Sequence, residues 1–594
     1  MAGTLIGSFI IPYSLNNNII FVQAQAPTAS TAADSRPNIL AIVGDDLGFS
    51  DLGAFGSEIS TPNLDAMAKD GKILTNYHTM PTCSPARASF LTGVDNHIAG
   101  IGTMYEFVAP NQVGKPGYET YLNERVVTVA ELLRDAGYHT LMSGKWHLSG
   151  SPIQNGTTPY DRGFEDAFAL LGSGTHHFNG GPYYAGGNPV FIRNDTIVPR
   201  PDNVTYSNDL YTNVMIEQIK KVHGDGKPFF GHLAFQAAHS PFQAPQDYIK
   251  KYEEVYDVGY DKIREQRFEK QKELGIWPAN MTLPERLPHS LPWDSLDPQT
   301  QAYRAKTLAV RAAMIENMDY NIGKVIALLK ELGIYDNTLI SFASDNGSSE
   351  ARPMSTLAVQ GQSLVQSIAF VNRYNNTLAN LGNRDSLINH AEWGTILSVS
   401  PFSWFKGTQG EGGIRSPFII KEPLASSTTT TTTTNTTNTT TTNQTHPNVI
   451  DAFVHVTDVT PTFLDYAGVQ HPSTYHEREV HPLMGKSWKP LLEGKVAQVY
   501  ADDEPVAQEL FNSTAVFMGP WKAEKLFGPP TSDGKWHLYN IKLDLGENTD
   551  LASQHPGIFQ KMTTAYDKFA KDNGVIPPEA TLPQGGEEAA LSVD

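Results

Sequence analysis

The chain has a single cysteine in 594 residues, Cys83. An intrachain disulfide is therefore excluded, although exported proteins normally use cysteines in pairs, and a lone thiol in such a protein is a liability or a reagent. Basic residues are also scarce: 44 Lys and Arg face 63 Asp and Glu, for a formal charge of −19. That balance excludes a sequence-independent grip on nucleic acid and points to small, cationic or metallic partners. After Arg36 no apolar run approaches the ~20 residues needed to cross a bilayer, so the mature body is expected to be soluble, with no stable membrane span.

What precedes Arg36 is different. Residues 1–36 carry two short apolar bursts, then Ala24-Gln25-Ala26 and a Pro/Thr/Ser/Ala stretch. They read as a secretory signal with a flexible leader, which implies a secreted, periplasmic or cell-surface protein; an uncleaved anchor or a mis-assigned start is the competing reading. Asn-x-Ser/Thr sequons at Asn155, Asn194, Asn203, Asn280, Asn346, Asn375, Asn435, Asn438, Asn443 and Asn512 agree with export. The Thr/Asn-rich run 426–445 cannot bury apolar surface and is expected to be a disordered insertion.

On both sides of that insertion the pattern is α/β. Ile39–Val43, Tyr138–Ser143, Phe229–Phe235 and Thr338–Ser344 read as buried strands, while Thr128–Gly137 and Ile315–Gly333 carry helical spacing and a glycine stop. Alternation of this kind predicts a mostly parallel sheet flanked by helices, with ligands beyond the carboxyl ends of the strands. From about residue 480 the pattern changes to short strand-like pieces, Ala515–Phe517, Trp521–Ala523 and Trp536–Tyr539, followed by one helix near 555–572. This predicts a catalytic domain over 37–480 and a smaller α+β domain over 481–594.

Four strand ends lead directly into chemically able residues: Asp45-Asp46, Lys145-Trp146-His147, His239-Ser240 and Asp345-Asn346. Asp45, Asp46, Asp345 and Asn346 offer oxygen ligands, which suit a hard divalent cation such as Ca²⁺ or Mg²⁺ better than zinc. One isolated Asp pair would more often cap a turn; two such pairs weaken that alternative. Pro85 can occupy the first position of a helix, which places Cys83 at its positive end with Arg87 one turn in, a setting for anions. Lys145 and Lys406 could add charge there, although any single lysine is more often a solvated surface group. A thiolate nucleophile of the cysteine-phosphatase type is one reading of Cys83.

Cys83-Ser84-Pro85-Ala86-Arg87 with trailing Leu91-Thr92-Gly93 resembles the type I sulfatase signature Cys-x-Pro-x-Arg. The resemblance continues through Asp45-Asp46-Leu47-Gly48, Gly144-Lys145-Trp146-His147, His239-Ser240-Pro241, Asp345-Asn346-Gly347 and Phe405-Lys406-Gly407, and is closest to the bacterial-type arylsulfatases. It implies an alkaline-phosphatase-like α/β domain with a small C-terminal domain carrying an antiparallel sheet. It also implies hydrolysis of a small sulfate ester by a Cα-formylglycine hydrate made from Cys83 by a formylglycine-generating or maturase enzyme. By the same resemblance Asp45, Asp46, Asp345 and Asn346, with residue 83, hold a divalent cation, calcium before magnesium. Arg87 steadies the hydrate and the carboxylates, Lys145 and Lys406 bind sulfate oxygens, His239 protonates the leaving oxygen and His147 takes the proton of the second hydroxyl. A phosphonate or phosphate ester hydrolase of the same superfamily and a non-catalytic exported anion-binding protein are the alternatives. His97, His176, His177, His232 and His455 are expected to be structural.

Overall fold

The computed structural model describes residues 34–579, except 152, 185–186, 200–205, 288–289, 351–363, 425–447 and 528–532. The leader before residue 34, the insertion 426–445 and the sequons at Asn203, Asn435, Asn438 and Asn443 lie outside the described residues. A ten-stranded sheet is built from β1 (Asn38–Gly44), β2 (Lys72–Leu74), β3 (His139–Lys145), β4 (Asp166–Leu170), β5 (Phe191–Arg193), β6 (Thr196–Val198), β7 (Phe229–Ala234), β8 (Thr338–Ser344), β9 (Phe418–Lys421) and β10 (Val449–Ile450), in the spatial order β10-β2-β9-β8-β1-β7-β3-β4-β5-β6. The central strands β8, β1, β7, β3 and β4 run parallel, whereas β9 and β5 join antiparallel. The sheet is thus mostly parallel, as the alternation of elements predicts.

The continuous apolar run of β1 follows from burial on both faces. Leu40 and Ile42 enter one core; Ile39, Ala41 and Val43 enter the other. Helix α1 (Cys83–Thr92) and α2 (Val129–Asp135) lie in the second layer, and α3 (Ser207–Val222) and α4 (Pro298–Glu331) in the first. Thr128 opens α2 as a complete capping box with Glu131. The helix expected from Ile315 begins instead at Pro298, because Asp297 caps the backbone amides of Gln299 and Thr300 and Pro298 takes the first helical position. Similarly, α1 starts at Cys83 rather than at Pro85. Helix α5 (Val459–Ala467) packs beside α1.

In the C-terminal region, β11 (Val506–Leu510), β12 (Ser513–Met518), β13 (Trp521–Lys525) and β14 (His537–Asn540) form an antiparallel sheet covered by α6 (Pro556–Asn573). The sequence pattern reveals three of these strands and misses β11. No helix among the described residues is long and apolar enough to cross a membrane.

Candidate active site

Parallel order puts the carboxyl ends of β1, β3, β7 and β8 along one rim, and every predicted strand-end residue lies there. Asp45 and Asp46 follow β1, and Asp46 adopts a left-handed backbone (φ 61°) that turns its side chain back over the sheet end. Its amide donates to Asp345 Oδ1 (3.3 Å) from the end of β8. Lys145 ends β3 after Gly144, whose φ of 124° and tight fit leave no room for a side chain: a Cβ would lie 1.8 Å from the Ala234 carbonyl oxygen. His147 has φ 61° two residues later. Non-glycine residues in this region are uncommon and concentrate at functional sites.

Ligand atoms of Asp45, Asp46, Cys83 and Asp345 all lie within 4.8 Å of one another. Cys83 Sγ is 3.5 Å from Asp45 Oδ1 and 3.9 Å from Asp46 Oδ1. Cations surround this cluster: Lys145 Nζ donates to Asp45 (2.6 Å), Lys406 Nζ to Asp46 (2.5 Å) and to Cys83 Sγ (3.1 Å), and Arg87 pairs with Asp345 (2.8 Å). Arg87 also donates to the Lys145 carbonyl (2.9 Å), which ties α1 to the end of β3. Asn346 donates its amide nitrogen to Asp46 (2.7 Å), while its Oδ1 is buried without a hydrogen-bond partner among the described residues. Three carboxylates and an orphaned amide oxygen make an oxygen-rich donor set that fits a hard divalent cation.

The electrostatics follow from this crowding. Burial, with Asp345 and Asp46 adding to it against Lys145, pushes the Asp45 carboxyl up to about 7. Burial also raises Asp46, but Lys406 and His239 prevail and hold it well below the usual carboxylate range. Burial drives the Cys83 thiol far up despite both lysines, the reverse of the activation that a thiolate nucleophile needs. Burial would lower Lys145 and Lys406, yet Asp45 and Asp46 respectively keep them above the ordinary lysine value.

The two histidines are held in opposite tautomers. His239 Nδ1 donates to the Ser240 carbonyl (2.7 Å), leaving Nε2 facing Asp46 at 3.9 Å. His147 Nε2 lies 3.2 Å from Glu106 Oε1, a carboxylate that can only accept, so Nδ1 carries the lone pair; that nitrogen is buried without a partner. Burial depresses both imidazoles, opposed by Asp46 for His239 and by Glu106 for His147. Of the other histidines, His97 bridges Asp95 and Glu509, His455 meets Gln508, His176 meets Tyr374, and His177 holds the His239 carbonyl (3.0 Å). His232 is buried beneath α1 against Phe90.

A sulfatase family model matches residues 37–469. The chain belongs to the sulfatase family. An arylsulfatase of Klebsiella aerogenes is 37% identical over 464 residues, covering 77% of this chain and 92% of that protein. An uncharacterized sulfatase of Schizosaccharomyces pombe is 37% identical over 563 residues, covering 92% and 95% respectively. The fold also resembles that of a Bacteroides fragilis protein described as a sulfatase, with a TM-score of 0.58 at 17% identity over 93% of this chain and 98% of that one. As a member of this family the chain is a hydrolase of sulfuric esters.

Three residues at this cluster carried no signal in the sequence. Glu106 lies in a turn with no motif and pairs with His147. Tyr105 sets its ring edge-on to His147, and Tyr183 does the same to His239, each at 5.6 Å. Nothing in their spacing distinguishes them from other loop residues.

Proposed function

We propose that this sulfatase is of the arylsulfatase type and cleaves small sulfate monoesters to an alcohol or phenol and sulfate. The observation that carries this is the convergence of three carboxylates, the Asn346 oxygen and residue 83 with Lys145, Lys406 and Arg87 around them. Asp45, Asp46, Asp345 and Asn346, with residue 83, would hold one divalent cation, calcium in our reading; when bound it supplies positive charge that offsets the build-up on the sulfate oxygens. Formylglycine made from Cys83 would supply, as its hydrate, one hydroxyl to attack sulfur and a second whose deprotonation would expel the sulfate and restore the aldehyde. Cys83 is 1% exposed in the fold, so a separate oxidising enzyme must reach it before folding is complete.

The chain's own residues do the rest. Arg87, clamped to Asp345 and the Lys145 carbonyl, fixes α1 against the strand ends. Lys145 and Lys406, paired with Asp45 and Asp46 here, would turn to sulfate oxygens once those carboxylates served a cation. His239 presents Nε2 to the leaving oxygen. Burial and the lysines keep it neutral in the free site, and the arriving sulfate monoanion favours the imidazolium that protonates the leaving group. His147, with Nδ1 free, accepts the proton of the second hydroxyl. Export through a leader, with glycans on exposed sequons such as Asn155, Asn280 and Asn375, completes the reading.

Family membership favours sulfur over a phosphonate or phosphate ester, and a complete set of acids, bases and cations disfavours a passive anion carrier. The test compares an aryl sulfate with the aryl phosphate of the same phenol and weighs the tryptic peptide containing residue 83. We expect faster sulfate release and a peptide lighter than its thiol form. Faster phosphate hydrolysis would establish the phosphoester alternative, and an unmodified thiol with no turnover would establish the binding protein.

A further inference from the structure

We propose that Glu106 is a positioning residue of the reaction, fixing through His147 which imidazole nitrogen is left to accept a proton. The inference rests on the role given to His147 above. Glu106 sits in the turn Tyr105–Phe107. Its Oε1 is 3.2 Å from His147 Nε2, and the side chains are 4% and 0% exposed. Because the carboxylate cannot donate, Nε2 must carry hydrogen, and Nδ1 is the nitrogen able to accept a proton. Nδ1 is buried with no hydrogen-bond partner among the described residues. A buried lone pair left unsatisfied is costly unless another group comes to meet it.

The groups that act on this imidazole are few. Glu106 opposes the cations Lys145 and Arg87, and the Tyr105 ring closes one side. When His147 takes a proton in the middle of those cations, Glu106 is the counter-charge in contact with it. The balance of the transfer is simple: the oxygen–hydrogen bond at the second hydroxyl breaks, a nitrogen–hydrogen bond forms at Nδ1, and the oxygen keeps the electron pair.

The segment that follows the Glu106 turn is pinned from outside, and the turn itself is held through Phe107. Gln112 Nε2 and the Tyr118 hydroxyl donate to the Ile576 carbonyl (2.7 and 3.1 Å), the Ile576 amide donates to the Tyr118 hydroxyl (2.8 Å), and Phe107 meets Phe511 edge-on at 5.3 Å. A carboxylate meant only to fill space would need no such support. One meant to hold an imidazole within a few tenths of an ångström does.

The experiment uses the full chain with Glu106→Gln and Glu106→Asp. The first readout is the histidine ¹⁵N spectrum of protein retaining the Cys83 thiol, with His147 assigned from the signal lost in His147→Gln. Wild type should show the Nε2–H tautomer, and Glu106→Gln should lose that preference. The second readout is turnover of an aryl sulfate by matured enzyme. His147 acts after the alcohol has left, so Glu106→Gln should lower kcat about tenfold or more while kcat/KM stays within about threefold; Glu106→Asp should recover part of kcat. An unchanged tautomer with unchanged kcat would overturn the proposal, as would an equal fall in kcat and kcat/KM accompanied by a lower melting temperature. If wild type cleaves no sulfate ester, the functional reading fails by itself, and the tautomer still decides for or against Glu106.

Discussion

Raising the pH should loosen the attachment of the C-terminal sheet, through one buried imidazole. His97 lies just beyond the signature helix and is fully buried. Its Nδ1 is 2.8 Å from Asp95 and its Nε2 is 3.0 Å from Glu509, on β11. Burial alone would lower its proton affinity, but the two carboxylates outweigh burial and raise it from 6.5 to about 10. At about 1.4 kcal/mol per pH unit, the folded protein then holds this proton about 4 to 5 kcal/mol more tightly than the unfolded chain. The sign follows from linkage. Between pH 6.5 and 10 the native state binds more protons than the unfolded one, so the contribution is complete below 6.5 and is lost as pH climbs to about 10.

The perturbation is His97→Gln, which keeps bulk but cannot carry charge between two acids. Denaturant melts of wild type and variant, monitored at the tryptophans and repeated from pH 6.5 to 10, give the difference in stability. Taking the difference removes the titrations both proteins share. We expect the variant to be several kcal/mol less stable near pH 6.5 and the gap to shrink steadily toward pH 10. A gap that stays constant or widens over that range would refute the argument, because it would mean that His97 is neutral in the fold.

Other outcomes follow from the site. Cys83→Ser should fold with a melting temperature near wild type but lose multiple turnover, since serine offers one hydroxyl; sustained turnover near the wild-type rate would defeat the formylglycine reading. Asn346→Ala removes the orphaned oxygen and should weaken cation binding about tenfold or more, about 1.4 kcal/mol or more by titration calorimetry. Although Asn346 starts a sequon, its side chain is buried, so glycan mapping of secreted protein should find none there. Gly144→Ala would drive a methyl into the Ala234 carbonyl at 1.8 Å and should abolish soluble expression, whereas Gly156→Ala, where a Cβ meets nothing within 4 Å, should cost about 1 kcal/mol or less beyond the strain of its positive φ.

Much of this protein was legible along the chain. The apolar run Ile39–Val43, the helix stop at Gly137 and the polar groups after each strand are local patterns, set by the side-chain period of strands and helices and by turn chemistry, so they survive without the fold. The composition of the candidate site, Asp and Asn with Lys and His at strand ends and Arg87 one turn into α1, was legible for the same reason. The start of α4 was misplaced because Asp297-Pro298 lies before the apolar spacing that marked its later turns, and β11 was missed because two of the residues it buries, Gln508 and Glu509, are polar and are held by His455 and His97 from outside the sheet.

What tertiary structure alone decided is which residues meet. Asp45, Cys83, Lys145, Asp345 and Lys406 are separated by tens to hundreds of residues, and only the order β8-β1-β7-β3, with α1 and the loop of Lys406 packed on its rim, makes them neighbours. The free nitrogen of His147 was set by Glu106, the free nitrogen of His239 by the Ser240 carbonyl, and the charge of His97 by Asp95 and Glu509. A side chain's protonation and tautomer depend on what desolvates it and on which acceptor touches it, and neither is a property of its place in the chain.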